Sequence, residues 1–171
     1  MKSPSLNIRQ ASLADADLVA DLGQRAWWAH YPGIITEGQI RYMLARMYTP
    51  NALRQQWMAE SQTCLVAEAD GVPLAFAAWS VQTDGKQTWV YLNKLYAVPQ
   101  GKGCGLGKAL LAAVVQAARR RGIGRIRLNV NKYNPTTAWY ERQGFTLQRE
   151  EVLDIGNGYV MDDYVLELKL A

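Results

Sequence analysis

The sequence predicts an α/β protein with a mixed β-sheet and helices on both faces. Between residues 63 and 98, three apolar or alternating segments are separated by the turn signals Asp70-Gly71 and Asp84-Gly85, which is typical of antiparallel strands. After residue 98 the pattern changes to strand, helix, strand, and that spacing places two strands parallel in a βαβ unit. A sheet that contains both kinds of pairing is mixed.

The first third of the chain predicts one strand, at Leu6–Ala11, and then three helices. Each helix begins at a Ser or Thr that is followed by acidic residues, Gln or Pro: Ser12, Thr36 and Thr49. The first helix ends before Pro32-Gly33, because proline and glycine break a helix. Its predicted apolar face consists of Leu13, Ala16, Leu18, Val19, Leu22, Ala26 and Ala29.

The rest of the chain alternates between strands and helices. The predicted strands are 63–69, 74–81, 89–98, 125–130, 145–155 and 159–170. The predicted helices run from about 108 to 120 and from 135 to 142, and Gly122 and Gly144 follow them as stop signals. Gly156-Asn157-Gly158 predicts a tight hairpin between the last two strands.

Length and composition indicate one ordinary globular domain, residues 1–171, with 49% hydrophobic and 20% charged residues. The start of the chain has no signal-peptide pattern, and no apolar run reaches ~18 residues, so we expect a cytoplasmic location and no membrane span. The chain has one histidine and two cysteines, Cys64 and Cys104, which are far apart in sequence. We therefore expect neither a metal site nor a disulfide.

The segment from Leu95 to Leu111 runs from a strand through a glycine-rich loop into a helix. Pro99 ends the strand, because proline has no N–H for a sheet ladder. Glycine then occupies the alternate positions 101, 103, 105 and 107. The unpaired N–H groups of the helix start, the glycine amides, Lys102 and Lys108 together favour binding of a phosphate or pyrophosphate. The alternative is a flexible loop before a helix, which this regular alternation does not favour.

Two familiar phosphate-binding loops do not fit this spacing. The phosphate loop of nucleotide hydrolases needs a Ser or Thr after Gly-Lys, whereas Gly107-Lys108 is followed by Ala109. The dinucleotide fingerprint Gly-x-Gly-x-x-Gly fails in every frame, because its last position falls on Leu106, Lys108 or Leu110.

The run from Tyr96 to Leu111 resembles the acetyl-CoA loop of the GNAT N-acetyltransferase superfamily, usually written Arg/Gln-x-x-Gly-x-Gly/Ala. Here that pattern extends from Lys102 to Gly107, and the lysine departs from the usual Arg or Gln. A second stretch, Asn134 followed by Trp139–Phe145, resembles the family motif of an Asn followed by Phe/Trp-Tyr-Glu-x-x-Gly-Phe. The order of the predicted elements is also similar to the GNAT order.

This resemblance implies acetyl-CoA as cofactor and a parallel strand pair that splays apart after Val98 and Val130 to hold the pantetheine arm. The implied cofactor contacts are the free backbone groups of Tyr96, Ala97 and Val98, the stretch Lys102, Gly103, Cys104, Gly105, Leu106, Gly107 and Lys108, and the side chain of Asn134. An amide N–H near Val98 would also polarise the thioester carbonyl.

Tyr140 is the candidate general acid. A phenol has a pKa of ~10 and can protonate a departing thiolate, and the resemblance implies that the tyrosine of this motif points at the sulfur. The structural alternative is a half-buried packing residue on a short helix.

The general base is open in the sequence. Many relatives have a Glu on the central strand near the position of Asn93, and an amide side chain does not take a proton there. Glu37, Asp162 and Asp163 could accept the proton directly or through water. The alternatives are that these carboxylates are solvated surface or helix-start groups and that a wet channel accepts the proton.

The candidate acceptor pocket is a group of rings near the end of the first helix. It contains His30, the only histidine, beside Trp27, Trp28 and Tyr31, and the resemblance implies that the first two helices cover the acceptor end of the site. His30, Tyr31 and Asn93 are the candidate substrate contacts. The alternative is that the aromatic rings are core and the histidine lies packed or at the surface.

The function that these observations predict is an acetyl-CoA-dependent N-acetyltransferase acting by direct transfer in a ternary complex. The resemblance of Tyr91–Tyr96 and Asp154–Gly158 to small-molecule members, polyamine acetyltransferases among them, favours a small primary amine as acceptor. One alternative is the amine of a protein N-terminus or lysine. The other is a non-catalytic acyl-CoA-binding sensor, which keeps the loop and does not need Tyr140.

The net charge of +4 is compatible with a polyanionic small molecule such as coenzyme A and with weak nucleic-acid binding. Arg125 and Arg127 share one strand face, but no nucleic-acid motif joins them. Arg119–Arg121 is typical of a helix end, and the alternative is a contact with the adenosine phosphate of the cofactor or with nucleic acid. We therefore expect a small-molecule partner and neither nucleic acid nor a membrane. The sequence leaves the oligomeric state open, a homodimer included.

Overall fold

The computed structural model describes residues 3–59 and 61–171. The strands in this part of the chain are β1 (Leu6–Gln10), β2 (Thr63–Ala69), β3 (Val72–Thr83), β4 (Thr88–Ala97), β5 (Arg125–Asn131), β6 (Thr146–Gly156) and β7 (Tyr159–Lys169). The α-helices are α1 (Ala16–His30), α2 (Glu37–Met47), α3 (Pro50–Met58), α4 (Leu106–Arg120) and α5 (Thr136–Arg142). The element order is the predicted one.

Two compact units make up the chain. The first unit consists of Met1–Ser80 and Asn93–Val114, and the second of Val81–Leu92 and Val115–Ala171. Strands β3 and β4 and helix α4 each contribute one part to either unit. The hydrogen-bonded strand order is β1-β2-β3-β4-β5-β7-β6.

The first unit contains the predicted hairpin. Strand β2 pairs antiparallel with β1 and with β3. The turn between β2 and β3 has Asp70 at φ 50° and Gly71 at φ 80°, both left-handed, as a two-residue turn between twisted strands requires. The Asp-Gly signal therefore predicted this hairpin correctly.

The second unit contains the parallel pair. Strand β4 pairs parallel with β5 at Val90–Ile126 and Tyr91–Arg127, whereas β7 pairs antiparallel with both β5 and β6. The sheet is therefore mixed, as predicted, with the parallel pair at β4 and β5. The splay of these two strands beyond the paired residues stays a prediction.

Helices α2 and α3 of the first unit begin where the capping residues indicate. Thr36 Oγ1 accepts a hydrogen bond from the N–H of Gln39 (3.2 Å), and Thr49 Oγ1 accepts one from the N–H of Ala52 (3.1 Å). These bonds satisfy N–H groups that the first helical turn leaves unpaired. Both predicted starts are confirmed.

The predicted apolar face of α1 is wrong at its two ends. Leu13 is 46% exposed, because residues Leu13–Asp15 form a short 3₁₀ turn and the α-helical period begins only at Ala16. Ala29 is exposed too, since the buried stripe runs through Ala16, Ala20, Gly23 and Trp27 and leaves that position to one side.

Strand β5 in the second unit has one apolar and one polar face. Ile126, Leu128 and Val130 are buried, and the residues that alternate with them point to the opposite face. That polar face begins with Arg125 and Arg127, the two arginines predicted to share a strand face.

Both arginines form an ion triad with Glu167, which is 1% exposed. The carboxylate of Glu167 accepts hydrogen bonds from Arg125 Nη1 (2.9 Å) and Arg127 Nε (2.6 Å). The Arg127 guanidinium also lies 4.1 Å from the ring centre of Trp89 and donates to Gln87 Oε1 at 2.9 Å. These arginines therefore stabilise the fold of the second unit.

Candidate active site

The glycine-rich loop lies in the first unit and folds as a series of tight turns. Gly103 and Gly105 have φ of 79° and 80°, a left-handed conformation that side-chain-bearing residues adopt only with strain. Gly101 is needed for a different reason: a Cβ there would lie 3.0 Å from Leu74 Cβ and 3.1 Å from Leu106 Cδ1. The alternating glycines thus reflect both backbone conformation and close packing.

Helix α4 presents its N-terminus directly after this loop. Its first backbone hydrogen bond runs from the N–H of Ala109 to the carbonyl of Gly105 (3.0 Å), so the N–H groups of Leu106, Gly107 and Lys108 have no acceptor within the helix. The helix begins at Leu106, two residues before the predicted start at Lys108, because Leu106 is buried and packs as its first apolar residue.

The loop residues fit a pyrophosphate. Nothing lies within 4 Å of the position where a Cβ on Gly103 would stand, so this backbone can be approached closely. Lys102 and Lys108 are both exposed and supply positive charge beside the positive end of the α4 dipole. Glycine amides, helix N–H groups and lysines together are a suitable donor set for the phosphates of coenzyme A.

The expectation of free backbone groups at Val98 is wrong. Its N–H donates to the carbonyl of Leu74 on β3 (2.9 Å), and its carbonyl accepts from the N–H of Gly101 (2.9 Å). The neighbouring strand takes the first group, and the turn at Pro99–Gly101 takes the second. Val98 itself therefore does not polarise a thioester carbonyl with its N–H in this arrangement.

The candidate pocket of aromatic rings is largely a packed core within the first unit. Tyr31 and Tyr96 share a hydrogen bond between their hydroxyls (2.8 Å), and both rings stack near Trp27, with ring centres 4.3 and 5.9 Å away. Trp27 and Tyr31 are buried, and His30, half-buried, contacts the edge of Tyr31 at 5.0 Å. The structural alternative fits Trp27 and Tyr31, and substrate contacts at His30 and Tyr31 stay predictions.

Two neighbouring residues of β4 in the first unit have polar partners. Asn93 Oδ1 accepts a hydrogen bond from Ser80 Oγ (3.0 Å), so its amide is already engaged in the sheet. Lys94, which was not among the predicted site residues, is buried and donates through Nζ to Gln56 Oε1. Strand alternation would have found it, because Lys94 occupies the same face as the buried Val90 and Leu92.

Asn134 lies in the second unit, where it organises the start of α5. Its Oδ1 accepts hydrogen bonds from the N–H (2.9 Å) and the hydroxyl (2.7 Å) of Thr136, while its own N–H donates to the carbonyl of Asn131. The asparagine of the motif therefore has a local role in helix capping. A contact of its side chain with the cofactor stays a prediction.

Tyr140 is also in the second unit and is 8% exposed. Its ring makes edge contacts with Trp139 (5.0 Å between ring centres) and Phe145 (5.5 Å). Gly144, at φ 104°, ends α5 and lets Phe145 return against this tyrosine. This packing holds the ring of Tyr140 in place. A general acid needs such positioning, and a residue with a purely structural role would be packed in the same way.

The three candidate bases have very different surroundings. Glu37 is exposed and pairs with Arg41 one helical turn later (2.7 Å), and Asp162 pairs with Lys132 (2.9 Å). Asp163 is only 3% exposed and accepts a hydrogen bond from Asn129 Nδ2 at 3.3 Å. Burial raises the pKa of the Asp163 carboxyl to about 6; the hydrogen bond from Asn129 opposes this rise, and the charges of Glu151 and Asp162 add to it.

Among residues 3–59 and 61–171, no three His, Cys, Asp or Glu side chains are grouped as a metal site would require. Within the same residues, no helix is long and apolar enough to cross a bilayer. The two cysteines of the chain are free thiols, Cys64 buried and Cys104 partly exposed in the glycine-rich loop.

Comparison with known proteins identifies the class to which this fold and loop belong. The family model described as the acetyltransferase (GNAT) family matches residues 25–145 of the chain. The chain therefore belongs to the GNAT acetyltransferase family and is an acetyltransferase, and acetyl-CoA is the acetyl donor of this family.

Two individual proteins are similar to the chain in sequence. One is spermidine N(1)-acetyltransferase from Thermoplasma acidophilum, 23% identical over 163 residues that cover 92% of this chain and 96% of that protein. The other is 5-NmdU N-acetyltransferase from Pseudomonas phage PaMx11, 34% identical over 88 residues, which cover 51% of this chain and 59% of the phage protein.

A solved structure shares the fold. It is the PaiA N-acetyltransferase from Thermoplasma acidophilum, solved in complex with coenzyme A, with a TM-score of 0.79 and 24% identity. The match covers 96% of this chain and 99% of that one. At this identity the likeness establishes the GNAT fold.

Proposed function

We propose that this acetyltransferase is a single domain, residues 1–171, that acetylates a primary amine of a small molecule, a polyamine or an amino-acid-like compound. The amine attacks directly in a ternary complex. The observation that carries the proposal is the loop at residues 98–108, whose open glycines and helix N-terminus suit a pyrophosphate. The similarity to a spermidine acetyltransferase over 92% of the chain supports a small amine as acceptor.

Acetyl-CoA, when bound, supplies the acetyl group as an activated thioester. The amides from Gly103 to Lys108 would hold its pyrophosphate, with Lys102 beside them, and the backbone of Tyr96 and Ala97 would orient the pantetheine arm. Holding both reactants in one complex makes the encounter effectively intramolecular, which supplies much of the rate. Tyr140 would donate a proton to the departing sulfur.

The remaining parts of the proposal concern location and partners. Cytoplasmic location fits a soluble cofactor and a small substrate. Neither nucleic acid nor a membrane is a partner, and the arginines of β5 that would have suggested nucleic acid form an ion triad with Glu167. A homodimer is compatible with this activity, and sedimentation of the purified protein measures the oligomeric state.

The experiment that tests the proposal combines calorimetric titration of acetyl-CoA with an assay of thiol release. The amine panel contains polyamines, amino acids, and peptides with a free N-terminus or a lysine. Micromolar binding with release for polyamines or amino acids is the expected result. Release with peptides alone would replace the acceptor class by a protein amine. Binding without release for any amine would favour the acyl-CoA sensor.

A pair of matched glycine substitutions tests whether the glycine-rich loop binds acetyl-CoA. Gly103 and Gly71 have nearly the same φ, 79° and 80°, and neither has an atom within 4 Å of a built Cβ. Replacing either glycine with Ala therefore costs a similar free energy of unfolding, about 1–2 kcal/mol from the left-handed backbone. Only Gly103→Ala is expected to weaken acetyl-CoA binding, by about tenfold.

Calorimetry gives the dissociation constant of acetyl-CoA for both variants, and urea unfolding gives their stability. Equal losses of affinity in Gly71→Ala and Gly103→Ala would show that backbone strain, and not the approach of a phosphate, causes the effect.

A further inference from the structure

Four polar side chains on one sheet face of the second unit are joined by hydrogen bonds. They come from four different strands and form what we call the carboxylate cluster: Tyr91 on β4, Asn129 on β5, Glu151 on β6 and Asp163 on β7. The register explains how they meet. Asp163 stands directly opposite both Asn131 on β5 and Glu151 on β6, and directly paired residues of neighbouring strands share a face.

Two carboxylates in this cluster share one amide donor. Asn129 Nδ2 donates to Glu151 Oε2 (2.7 Å) and to Asp163 Oδ2 (3.3 Å), and Tyr91 donates through its hydroxyl to Asn129 Oδ1 (2.8 Å). The other oxygen of Asp163, Oδ1, is buried and has no hydrogen-bond partner among the described residues. Burying a carboxylate oxygen without a hydrogen-bond donor costs free energy. A ligand that donates a hydrogen bond to Asp163 Oδ1 would remove this cost.

Glu167 provides a comparison, because it is a buried carboxylate whose negative charge is compensated. Glu167, also on β7, receives hydrogen bonds from two arginines. Among the described groups near the carboxylate cluster, the closest cation to Glu151 is Arg149, 3.5 Å from Oε1 and more than half exposed. Asp162, beside Asp163 in sequence, is already paired with Lys132. The cluster therefore has negative charge in excess of its cations.

We propose that the carboxylate cluster binds the aliphatic ammonium group of the acceptor and that Asp163 accepts its proton. The inference rests on the proposed acetylation of a small amine and deepens it. An ammonium ion offers three N–H donors and a positive charge, which match Asp163 Oδ1, Glu151 and the surplus negative charge. A neutral alcohol or amide would satisfy the hydrogen bond and leave the charge uncompensated.

The protons balance in this scheme. The acceptor enters as R–NH₃⁺, and its amide product carries one N–H, so two protons leave the nitrogen. The first goes to the Asp163 carboxylate and frees the nitrogen lone pair, which forms the N–C bond to the acetyl carbon. The second leaves after attack and reaches solvent, and Asp163 releases its own proton to solvent before the next turnover. As the C–S bond breaks with its electron pair on sulfur, Tyr140 protonates the sulfur and is reprotonated from solvent.

The protonation state of Asp163 determines how kcat/KM depends on pH. Burial, Glu151 on β6 and Asp162 on β7 raise its pKa to about 6, against the lowering effect of Asn129 on β5. The hydroxyl of Tyr91 on β4 faces the same carboxylates, and burial and their charges raise its pKa, so it stays neutral. Asp163 is then ionised above pH 6, and kcat/KM for the amine rises with pH through about 6 before it levels off.

The test uses the full chain, the variants Asp163→Asn and Glu151→Gln, and Glu150→Gln as control. Glu150 is the neighbour of Glu151 on β6, exposed and on the opposite sheet face. Asp163→Asn is expected to lower kcat/KM at pH 8 at least tenfold and to remove the rise near pH 6, with acetyl-CoA affinity unchanged. Glu151→Gln is expected to raise KM for the amine more than it lowers kcat.

Direct binding separates this inference from the proposed function. Spermidine and 1,4-diaminobutane are titrated at pH 8 into the wild-type protein and each variant without acetyl-CoA. Binding that Asp163→Asn weakens at least tenfold and Glu150→Gln leaves unchanged supports the cluster, even if no amine is acetylated. Wild-type affinity retained in Asp163→Asn, or no binding of either amine by wild type, overturns it, whatever the acetylation assay shows.

A measurement of the free energy of unfolding tests whether Asp163→Asn lowers activity only because it destabilises the protein. Because folding raises the pKa of Asp163 above its unfolded value, the group stabilises the protein below pH ~4, and that contribution is lost as pH rises through about 6. Asp163→Asn is therefore expected to be at least as stable as wild type at pH 8. A large loss of stability there would identify Asp163 as a structural residue.

Discussion

Replacing Tyr140 with Phe is expected to lower kcat by about 10²–10³-fold while acetyl-CoA binds as before. The substitution removes only the hydroxyl, which we propose as the proton donor to the sulfur. The ring contacts with Trp139 and Phe145 remain, so the free energy of unfolding should change by less than about 1 kcal/mol. Steady-state kinetics on the best amine, calorimetry with acetyl-CoA and urea unfolding measure the three quantities.

The matched control for this variant is Tyr133→Phe. Tyr133 lies in the same unit, seven residues earlier, and is 73% exposed, so loss of its hydroxyl should leave kcat within twofold. A Tyr140→Phe protein with wild-type kcat would make Tyr140 a packing residue and leave the thiolate to be protonated by water. A Tyr140→Phe protein that no longer folds would show instead that the hydroxyl is a structural group.

The second large effect is expected for Glu167→Ala, which should lower the free energy of unfolding by about 3–5 kcal/mol. The carboxylate of Glu167 is fully buried and compensates the charges of Arg125 and Arg127. Without it the two guanidinium groups remain close together, partly buried, with no anion between them. Urea unfolding of the wild type and the variant measures the difference.

An exposed ion pair provides the comparison. Glu37 and Arg41 form a pair of similar length on the surface of α2, and Glu37→Ala should cost no more than about 0.5 kcal/mol. Glu167→Gln keeps the side-chain shape, and it should fall between wild type and Glu167→Ala. A loss below 1 kcal/mol for Glu167→Ala would mean that the arginines find other partners or turn to solvent.

Much of the fold was predictable because its signals are local. The caps at Thr36 and Thr49, the hairpin at Asp70-Gly71 and the glycine stops at Gly122 and Gly144 each depend on a few neighbouring residues. The error at Leu13 is of the opposite kind. A 3₁₀ turn and an α-helix begin with the same capping residue, and only packing decides where the α-helical period starts.

The candidate site divides in the same way. Glycines with positive φ before a helix N-terminus make the candidate anion-binding loop recognisable in the sequence, because conformation and donor groups are both encoded within about ten residues. The engagement of Val98 with Leu74 was missed, since it depends on a residue 24 positions earlier that lies on another strand. Lys94 was missed although strand alternation places it on the buried face.

By itself, the sequence determined the family of this protein, the order of its elements and the donor groups of its glycine-rich loop. The tertiary structure decided which carboxylate is a candidate base. Nothing in the sequence distinguishes Glu37, Asp162 and Asp163 as candidate bases. Asp163 differs from the other two because it is buried against β5 and β6 and shares the amide of Asn129. Desolvation and charge coupling depend on neighbours that are distant in sequence, so these properties appear only when the strands come together.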